Sequence, residues 1–308
     1  MQNTFEFSVI IPIYNEEENI PELHRRLGIV MERLGTYEII FVDDGSKDKS
    51  WRLIKELHEK YPNVKGISFS RNFGHHIAIT AGLDYAKGET IILMDGDLQD
   101  PPEEIPKLCG KLKEGYELVY GIRKEKKDSI LKRFASFVFW WFINSFSGIN
   151  IPRNQTLLRI FDRKILEVLT SMRERSRFIH GMIAWTGFKT AVQEVEHAPR
   201  ERGKSKYNVI KLFRLAFNAI TSFSTLPLRL ATYIGLLSAG VGMLYGFYFI
   251  YKKIFLGIPV LGYASIIVAV LFVGGIQLLM LGIIGEYIGR IYQEVQARPI
   301  YVLREQVF

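Results

Sequence analysis

ETIILMDGDLQDPPE, residues 89–103, decides how this chain is read. An apolar run, Ile91-Ile92-Leu93-Met94, breaks into Asp95-Gly96-Asp97 and then into a turn rich in Asp and Pro. Apolar residues bounded by Gly, Asp and Pro read as a buried strand that ends in a loop. Two carboxylates at i and i+2, exposed where a strand ends, can hold a hard divalent cation such as Mg²⁺. That ion takes one or two carboxylates and shares the rest of its shell with substrate phosphates. A lone D-x-D arises in many acidic turns, so a purely structural turn competes with the metal reading. The strand before it and the LQDPPE after it favour the metal.

The same grammar repeats on either side. FEFSVIIPIY (5–14), YEIIFVDD (37–44), NVKGISFS (63–70) and ELVYGIR (117–123) also read as strands. Ile20, Leu23, Leu27, Val30, Met31 and Leu34 recur at helical spacing, and later helices start near Asp48, Gly74 and Pro102. This alternation predicts an α/β, Rossmann-like domain: a parallel sheet, helices on both faces, and ligands at the carboxyl ends of the strands. The polar loops YNEEEN, DDGSKD, SRNFGHH and DGDLQDPP all fall at those ends. Asp43 can accept hydrogen bonds from a base N–H or from ribose hydroxyls, and Gly45 lets backbone approach a ligand closely. Ser46 is expected to cap the helix that follows. In the segment that opens at Pro12, Tyr14 can stack on a base and Glu16 can accept from it. His75-His76 is set aside as a metal site, because adjacent histidines rarely point at one ion and no other ligand has supporting spacing.

The last third has a different character. No charged residue occurs from Ala231 to Tyr251 or from Ala264 to Gly285. At ~1.5 Å rise per residue, each stretch can cross a hydrocarbon core of roughly 30 Å. Glycines stud both, which suits close helix packing in lipid, and the short link KKIFLGIPVLGY makes them a hairpin. Lys211, Arg214 and Arg229 precede the first span and Arg290, Arg298 and Arg304 follow the second, against Lys252 and Lys253 in the loop. The positive-inside rule then places both termini in the cytoplasm. SILKRFASFVFWWFINSF (129–146) and YNVIKLFRLAFNAITSF (207–223) read as interfacial amphipathic helices, with ordinary core helices as the competing reading.

The formal charge of +8 is concentrated near Arg123–Arg133 and Arg200–Arg214, each cluster leading into an apolar amphipathic stretch. Anionic lipid headgroups are the better partner for that arrangement, and nucleic acid is not expected. Cys109 is the lone cysteine, so no internal disulfide forms. The opening residues MQNTFEFSVIIPIYNEEEN show no signal-peptide pattern, and none is expected.

IPIYNEEENI, VDDGSKD, SRNFGHHIAITAGLDYAKG, MDGDLQDPPE and the terminal spans with IGEYIGRIYQEVQARP resemble the family-2 polyprenyl-phosphate glycosyltransferases. Bactoprenol glucosyltransferases and dolichyl-phosphate mannose synthase are familiar members, and the resemblance covers essentially the whole chain. It implies a GT-A type fold, a nucleotide-diphosphate-sugar donor, expected to be UDP-linked, Mg²⁺ or Mn²⁺, and an undecaprenyl or dolichyl phosphate acceptor. The Q-x-x-R-W segment and many spans of the similar processive polysaccharide synthases are missing, which argues for transfer of a single sugar. By matched position the resemblance gives Asp43 the nucleobase, Asp95 and Asp97 the ribose and metal, and Gln99 a place near the metal shell. Arg123, Lys132 and Ser136 fall at acceptor-phosphate positions. Arg200-Glu201-Arg202-Gly203-Lys204-Ser205-Lys206 matches an R-x-x-G-x-S-K lid: Arg200, Ser205 and Lys206 toward the donor, Arg202 toward the acceptor phosphate. For these basic residues a headgroup-binding rim is the rival reading.

One position departs from the family. The bactoprenol branch reads N-x-G-D-F-R where this chain has Asn154-Gln155-Thr156-Leu157-Leu158-Arg159, so Leu157 stands at an aspartate taken as catalytic. The nucleophile would be a phosphate monoester, already ionised near neutral pH, so no strong base is required. Leu157 is therefore read as changed donor-sugar or acceptor contacts. The chain is divided into a catalytic core (1–125), an acceptor and interfacial region (126–228) and a hairpin with a cytoplasmic tail (229–308), as an integral protein of the cell membrane. Another lipid or glycan acceptor, or a silenced sugar-nucleotide-binding membrane protein, stay open as alternatives, as does a homo-oligomer.

Overall fold

In a computed structural model, residues 5–123, 152, 154–175, 177–196, 226–255 and 262–308 are described. Each apolar run of the first 123 residues becomes a strand: β1 (Phe7–Ile13), β2 (Tyr37–Asp43), β3 (Val64–Phe69), β4 (Thr90–Leu93) and β5 (Leu118–Arg123). Between them lie α1 (Ile20–Met31), α2 (Ser50–Lys60), α3 (His75–Tyr85) and α4 (Ile105–Lys113). Three further strands were not expected: β6 (Gln155–Asp162), β7 (Thr190–Val195) and β8 (Leu303–Val307). Helices α5 (Arg163–Ser171) and α6 (Ile179–Trp185) complete this part.

The strands form one sheet in the order β7-β5-β6-β4-β1-β2-β3-β8. β1 pairs in parallel with β2 and β4, and β2 with β3. β6 is antiparallel to both β4 and β5, and β8 is antiparallel to β3. The expected all-parallel sheet is thus a mixed one, because β6 enters between β4 and β5. Two reversals restore direction, so β5 and its parallel neighbour β7 run the same way as β1 to β4. Their carboxyl ends share one edge of the sheet.

Alternation along the strands sends side chains to two faces. Val9, Ile11, Phe41, Ile92, Leu158 and Ile160 pack against Leu23 and Leu27 of α1, Ile54 of α2 and Leu108 of α4. Each fully buried aliphatic side chain contributes roughly 1.5–3 kcal/mol. The other face receives α3, which lies so close on β1 that a Cβ at Gly82 would sit 2.2 Å from Ile10 Cγ2. At the sheet's amino end, buried Glu38 accepts from Ser8 Oγ at 2.5 Å and from Lys87 N at 2.6 Å, and pairs with Lys65. That carboxylate is fully partnered and far from the ligand edge, so its role is structural.

By its contacts the chain divides into Met1–Lys211 with Arg298–Phe308, and Leu212–Ala297. The second unit contains α7 (Leu226–Phe255) and α8 (Tyr263–Val295). Pro227–Phe255 and Val268–Val295 have mean hydropathies of 1.5 and 2.4 over their most apolar windows, none of which is buried. A helix of 30 residues spans ~45 Å, enough to cross a bilayer core. The interfacial segments expected at 129–146 and 207–223 lie outside the described residues.

Candidate active site

Three loops meet at the carboxyl edge of β4, β1 and β2. The loop after β1 turns at Asn15, whose φ of 56° is left-handed, a conformation asparagine tolerates. Asn15 Oδ1 accepts from Lys47 N at 2.8 Å, and Asn15 N donates to Ser46 Oγ at 2.9 Å. Glu16 N donates to Ser50 Oγ and Lys49 N to Glu17 Oε2. Ser46 therefore does not cap α2, whose N-cap residue is Lys49; it ties the β1 and β2 loops together. Tyr14 is left 45% exposed beside this stitched pair, open for stacking, while Pro12 is buried in β1 opposite Val42. Glu16 Oε2 accepts from Asn19 Nδ2 at 2.5 Å.

Asp43 is almost wholly buried at the end of β2. Its Oδ1 accepts from Ser46 N at 3.0 Å and its Oδ2 from Ser68 Oγ at 2.8 Å. Each carboxylate oxygen keeps a second lone pair for a ligand. Asp44 accepts from Phe73 N at 2.6 Å and Gly74 N at 2.9 Å, fastening the loop after β3. Burial pushes the Asp44 carboxyl above its ordinary range, and those two N–H groups oppose the rise. Gly45, at φ 71°, lets this loop approach: a Cβ there would lie 2.6 Å from the Arg71 carbonyl carbon. Its conformational freedom is spent on loop packing.

Asp95, Gly96 and Asp97 follow β4. A Cβ on Gly96 would meet Ile13 Cδ1 at 2.5 Å and the Pro12 carbonyl at 3.3 Å, so the acidic loop lies close against the end of β1 and a larger residue there would displace the Ile13 side chain. Asp97 Oδ1 accepts from Gln99 N at 3.1 Å, and Leu98 turns the chain at φ 60°. Asp95 Oδ1 lies 2.8 Å from His75 Nε2. Among the described residues, no three His, Cys, Asp or Glu side chains cluster closely enough to hold an ion. Two hard oxygen ligands beside each other nevertheless suit Mg²⁺ or Mn²⁺ if substrate phosphates complete the shell.

The His75 and His76 rings meet edge-on, with centroids 5.9 Å apart and planes inclined at 72°. His76 packs edge-on to Phe178 and His180, at 5.7 and 5.5 Å between centroids. Burial lowers the His76 pKa to about 4 and that of His180 well below the ordinary value, so both rings are neutral at pH 7. Arg159 of β6 lies under this group, completely buried. It donates to the Leu157 and Thr156 carbonyls at 3.1 and 2.8 Å and lies 5.2 Å over the Tyr120 ring. Desolvation lowers its pKa to about 10, opposed by Tyr120, Asp95 and Asp100. It remains a cation and attracts the Asp95 and Asp100 carboxylates.

Leu157, at the position of the family's aspartate, is buried in β6 and offers no proton acceptor. Arg123 stands exposed at the end of β5, its N–H donating to the Asn154 carbonyl at 2.9 Å. The structure thus brings Pro12, Tyr14, Glu16, Asp43, Asp95, Asp97, Gln99 and Arg123 to one sheet edge. Lys132, Ser136, Arg200, Arg202, Ser205 and Lys206 lie outside the described residues. Asp44 and Arg159 stand inside quoted motifs without an expected role, and Ser68 and His180 were not singled out. For Arg159 a signal existed, a lone charge inside the apolar run Leu157–Phe161.

Comparison with known proteins gives the family. Residues 8–170 match glycosyl transferase family 2, and residues 226–291 match the GtrB C-terminal hairpin. The chain belongs to glycosyl transferase family 2, and with that hairpin it is a membrane protein. It is 43% identical to the Bacillus subtilis glycosyltransferase YkcC over 99% of this chain and 95% of that protein. It is 42% identical to the bactoprenol glucosyl transferase of Shigella phage SfII over 97% of each. Among solved structures, Staphylococcus aureus TarS 1–349 with UDP-GlcNAc aligns at a TM-score of 0.48 and 20% identity, covering 70% of this chain and 66% of that one.

Proposed function

We propose that this enzyme transfers one sugar from a nucleotide-diphosphate donor, read as UDP-linked, to a polyprenyl phosphate at the cytoplasmic membrane face. The observation that carries this reading is the shared edge: Asp43 and Tyr14 beside Asp95 and Asp97, with Arg123 at the same end of the sheet. The full-length similarity to bactoprenol glucosyl transferases supports the lipid phosphate acceptor.

Asp43 and Tyr14 hold the base, by hydrogen bonding and stacking, and Asp95 reaches the ribose. Asp95 and Asp97, with Gln99 nearby, would hold a divalent ion, which when bound stabilises charge on the departing diphosphate. Arg123, with Lys132, Ser136 and Arg202, orients the acceptor phosphate by charge-assisted bonds, while Arg200, Ser205 and Lys206 close over the donor. An acceptor oxygen attacks the anomeric carbon from the face opposite the leaving group. The bond from that carbon to the diphosphate breaks, the configuration inverts, and a nucleoside diphosphate leaves. The attacking oxygen is already ionised, so a buried leucine at position 157 is compatible with turnover.

The tail after α8 returns to the sheet as β8, which supports placing both ends of the hairpin on one side of the membrane. The flanking Arg and Lys residues favour the cytoplasmic side. The test is a panel of nucleotide sugars incubated with the full chain and undecaprenyl phosphate. One UDP-sugar should be consumed only when the lipid phosphate and a divalent ion are both present. Equal consumption without the lipid would refute the acceptor.

A further inference from the structure

Residues 298–308 follow the second apolar helix and rejoin the sheet at its nucleotide end. β8 covers β3 with Gly66 opposite Val307, Ile67 opposite Gln306, Ser68 opposite Glu305 and Phe69 opposite Leu303. Ser70 N extends the pairing by donating to the Val302 carbonyl at 3.0 Å. Without β8, β3 would be an open edge, and a tail strand that only protects an edge would be a sufficient explanation. Its contacts reach further than that.

Tyr301 stacks on Phe69 with centroids 5.2 Å apart and planes 18° from parallel. Phe69 meets Phe73 edge-on at 5.6 Å, and the Phe73 N–H is one of the two that fasten Asp44. On the same strand Ser68, paired with Glu305, donates its hydroxyl to Asp43. The tail therefore bears on both aspartates of the β2 loop, through Ser68 to one and through Phe69 and Phe73 to the other.

It is itself firmly held. The Tyr301 hydroxyl donates to Asp84 Oδ2 at 2.9 Å, and Arg173 engages both oxygens of Asp84 at 2.9 Å. Arg175 donates to the Arg298 carbonyl at 2.8 Å. Glu305 accepts from Trp51 Nε1 at 2.7 Å and from Lys55 at 3.1 Å.

We propose that the C-terminal strand is a positioning element of the nucleotide site, with Tyr301 bracing Phe69 and the 70–74 loop so that Asp43 and Asp44 are held for the donor. This rests on reading Asp43 as a nucleotide contact. It also makes donor affinity depend on a segment joined by only a few residues to the end of α8, so the hairpin and the nucleotide site are linked along the chain.

The test compares Tyr301→Ala and Tyr301→Phe in the full chain in detergent. UDP affinity is read by calorimetry, KM for each substrate and kcat by assay, and hydrogen exchange over residues 69–74 by mass spectrometry. Tyr301→Ala should weaken UDP binding about ten-fold, which is ~1.4 kcal/mol. It should also speed exchange at Phe73 and Gly74, with acceptor KM and kcat at saturating donor within about two-fold. Tyr301→Phe keeps the stack and should bind UDP nearly as the parent does. Unchanged UDP binding in Tyr301→Ala, or equal damage to both substrates, would overturn the brace. If the parent chain itself does not bind UDP, the donor reading fails, and exchange at residues 73–74 still decides the brace: faster supports it, unchanged refutes it.

Discussion

Replacing Asp43 by asparagine separates the two jobs that its position allows. In the native site Oδ1 accepts from Ser46 N and Oδ2 accepts from Ser68 Oγ. Asparagine can keep both: its oxygen takes the Ser46 N–H, and its amide nitrogen donates to the Ser68 hydroxyl, which rotates to accept. The fold should lose under ~1 kcal/mol, whereas Asp43→Ala leaves Ser46 N and Ser68 Oγ without their acceptor, at ~1–3 kcal/mol for each buried group. The ligand sees a different change, because a bond to a charged acceptor is worth ~1.5–3 kcal/mol. Neutralising it should weaken donor binding roughly ten- to a hundred-fold. Urea unfolding and calorimetric UDP titration on Asp43→Asn and Asp43→Ala measure both quantities. If Asp43→Asn binds UDP like the parent, Asp43 is only a loop brace and the base assignment is wrong.

Asp97→Ala should abolish transfer and Asp95→Ala nearly so, both with near-native melting, since neither side chain is part of the core; full activity in EDTA would exclude a metal-assisted reaction. Acid should destabilise the catalytic unit through its buried histidines. Unfolding frees His76 to bind a proton near pH 6.5, while the folded ring resists down to about 4, so stability is full above 6.5 and falls as pH drops through that window. The loss from His76 is at most ~3.4 kcal/mol, and melting curves of His76→Phe should be flatter between pH 6.5 and 4 than those of the parent. Cysteines placed at Gly257 or Leu261 should react with an impermeant thiol reagent from outside the cell, and cysteines at Lys49 or Arg304 should not. The reverse pattern would invert the orientation.

The strands that carry the site were legible because each is an apolar run closed by polar residues, with Asp, Gly or Asn near the ends of β1 to β4 and Arg123 at the end of β5. The ligand edge was legible because every such loop fell at a carboxyl end. β6 escaped because Arg159 breaks its apolar pattern: the arginine is buried there by two carbonyls of its own strand together with the Tyr120 face and the Asp95 and Asp100 carboxylates of other segments. β8 escaped for a different reason. LREQV has little hydrophobic content of its own and is a strand only because β3 offers it an open edge. Ser46 looked like a helix cap because its local context allows one, and only the fold shows that Asn15 reaches it first. Long-range partners decided each of these, and short-range pattern does not encode them.

The claim that the acceptor is a lipid phosphate is tested most directly by the phosphorus spectrum of the product. Undecaprenyl phosphate, the enzyme, a divalent ion and the accepted nucleotide sugar are incubated, and the lipid fraction is examined by ³¹P NMR. The monoester resonance should be replaced by a single sugar phosphodiester resonance, with one nucleoside diphosphate released for each phosphodiester formed. An unchanged monoester resonance, with sugar recovered on another lipid or as free hexose, would contradict it.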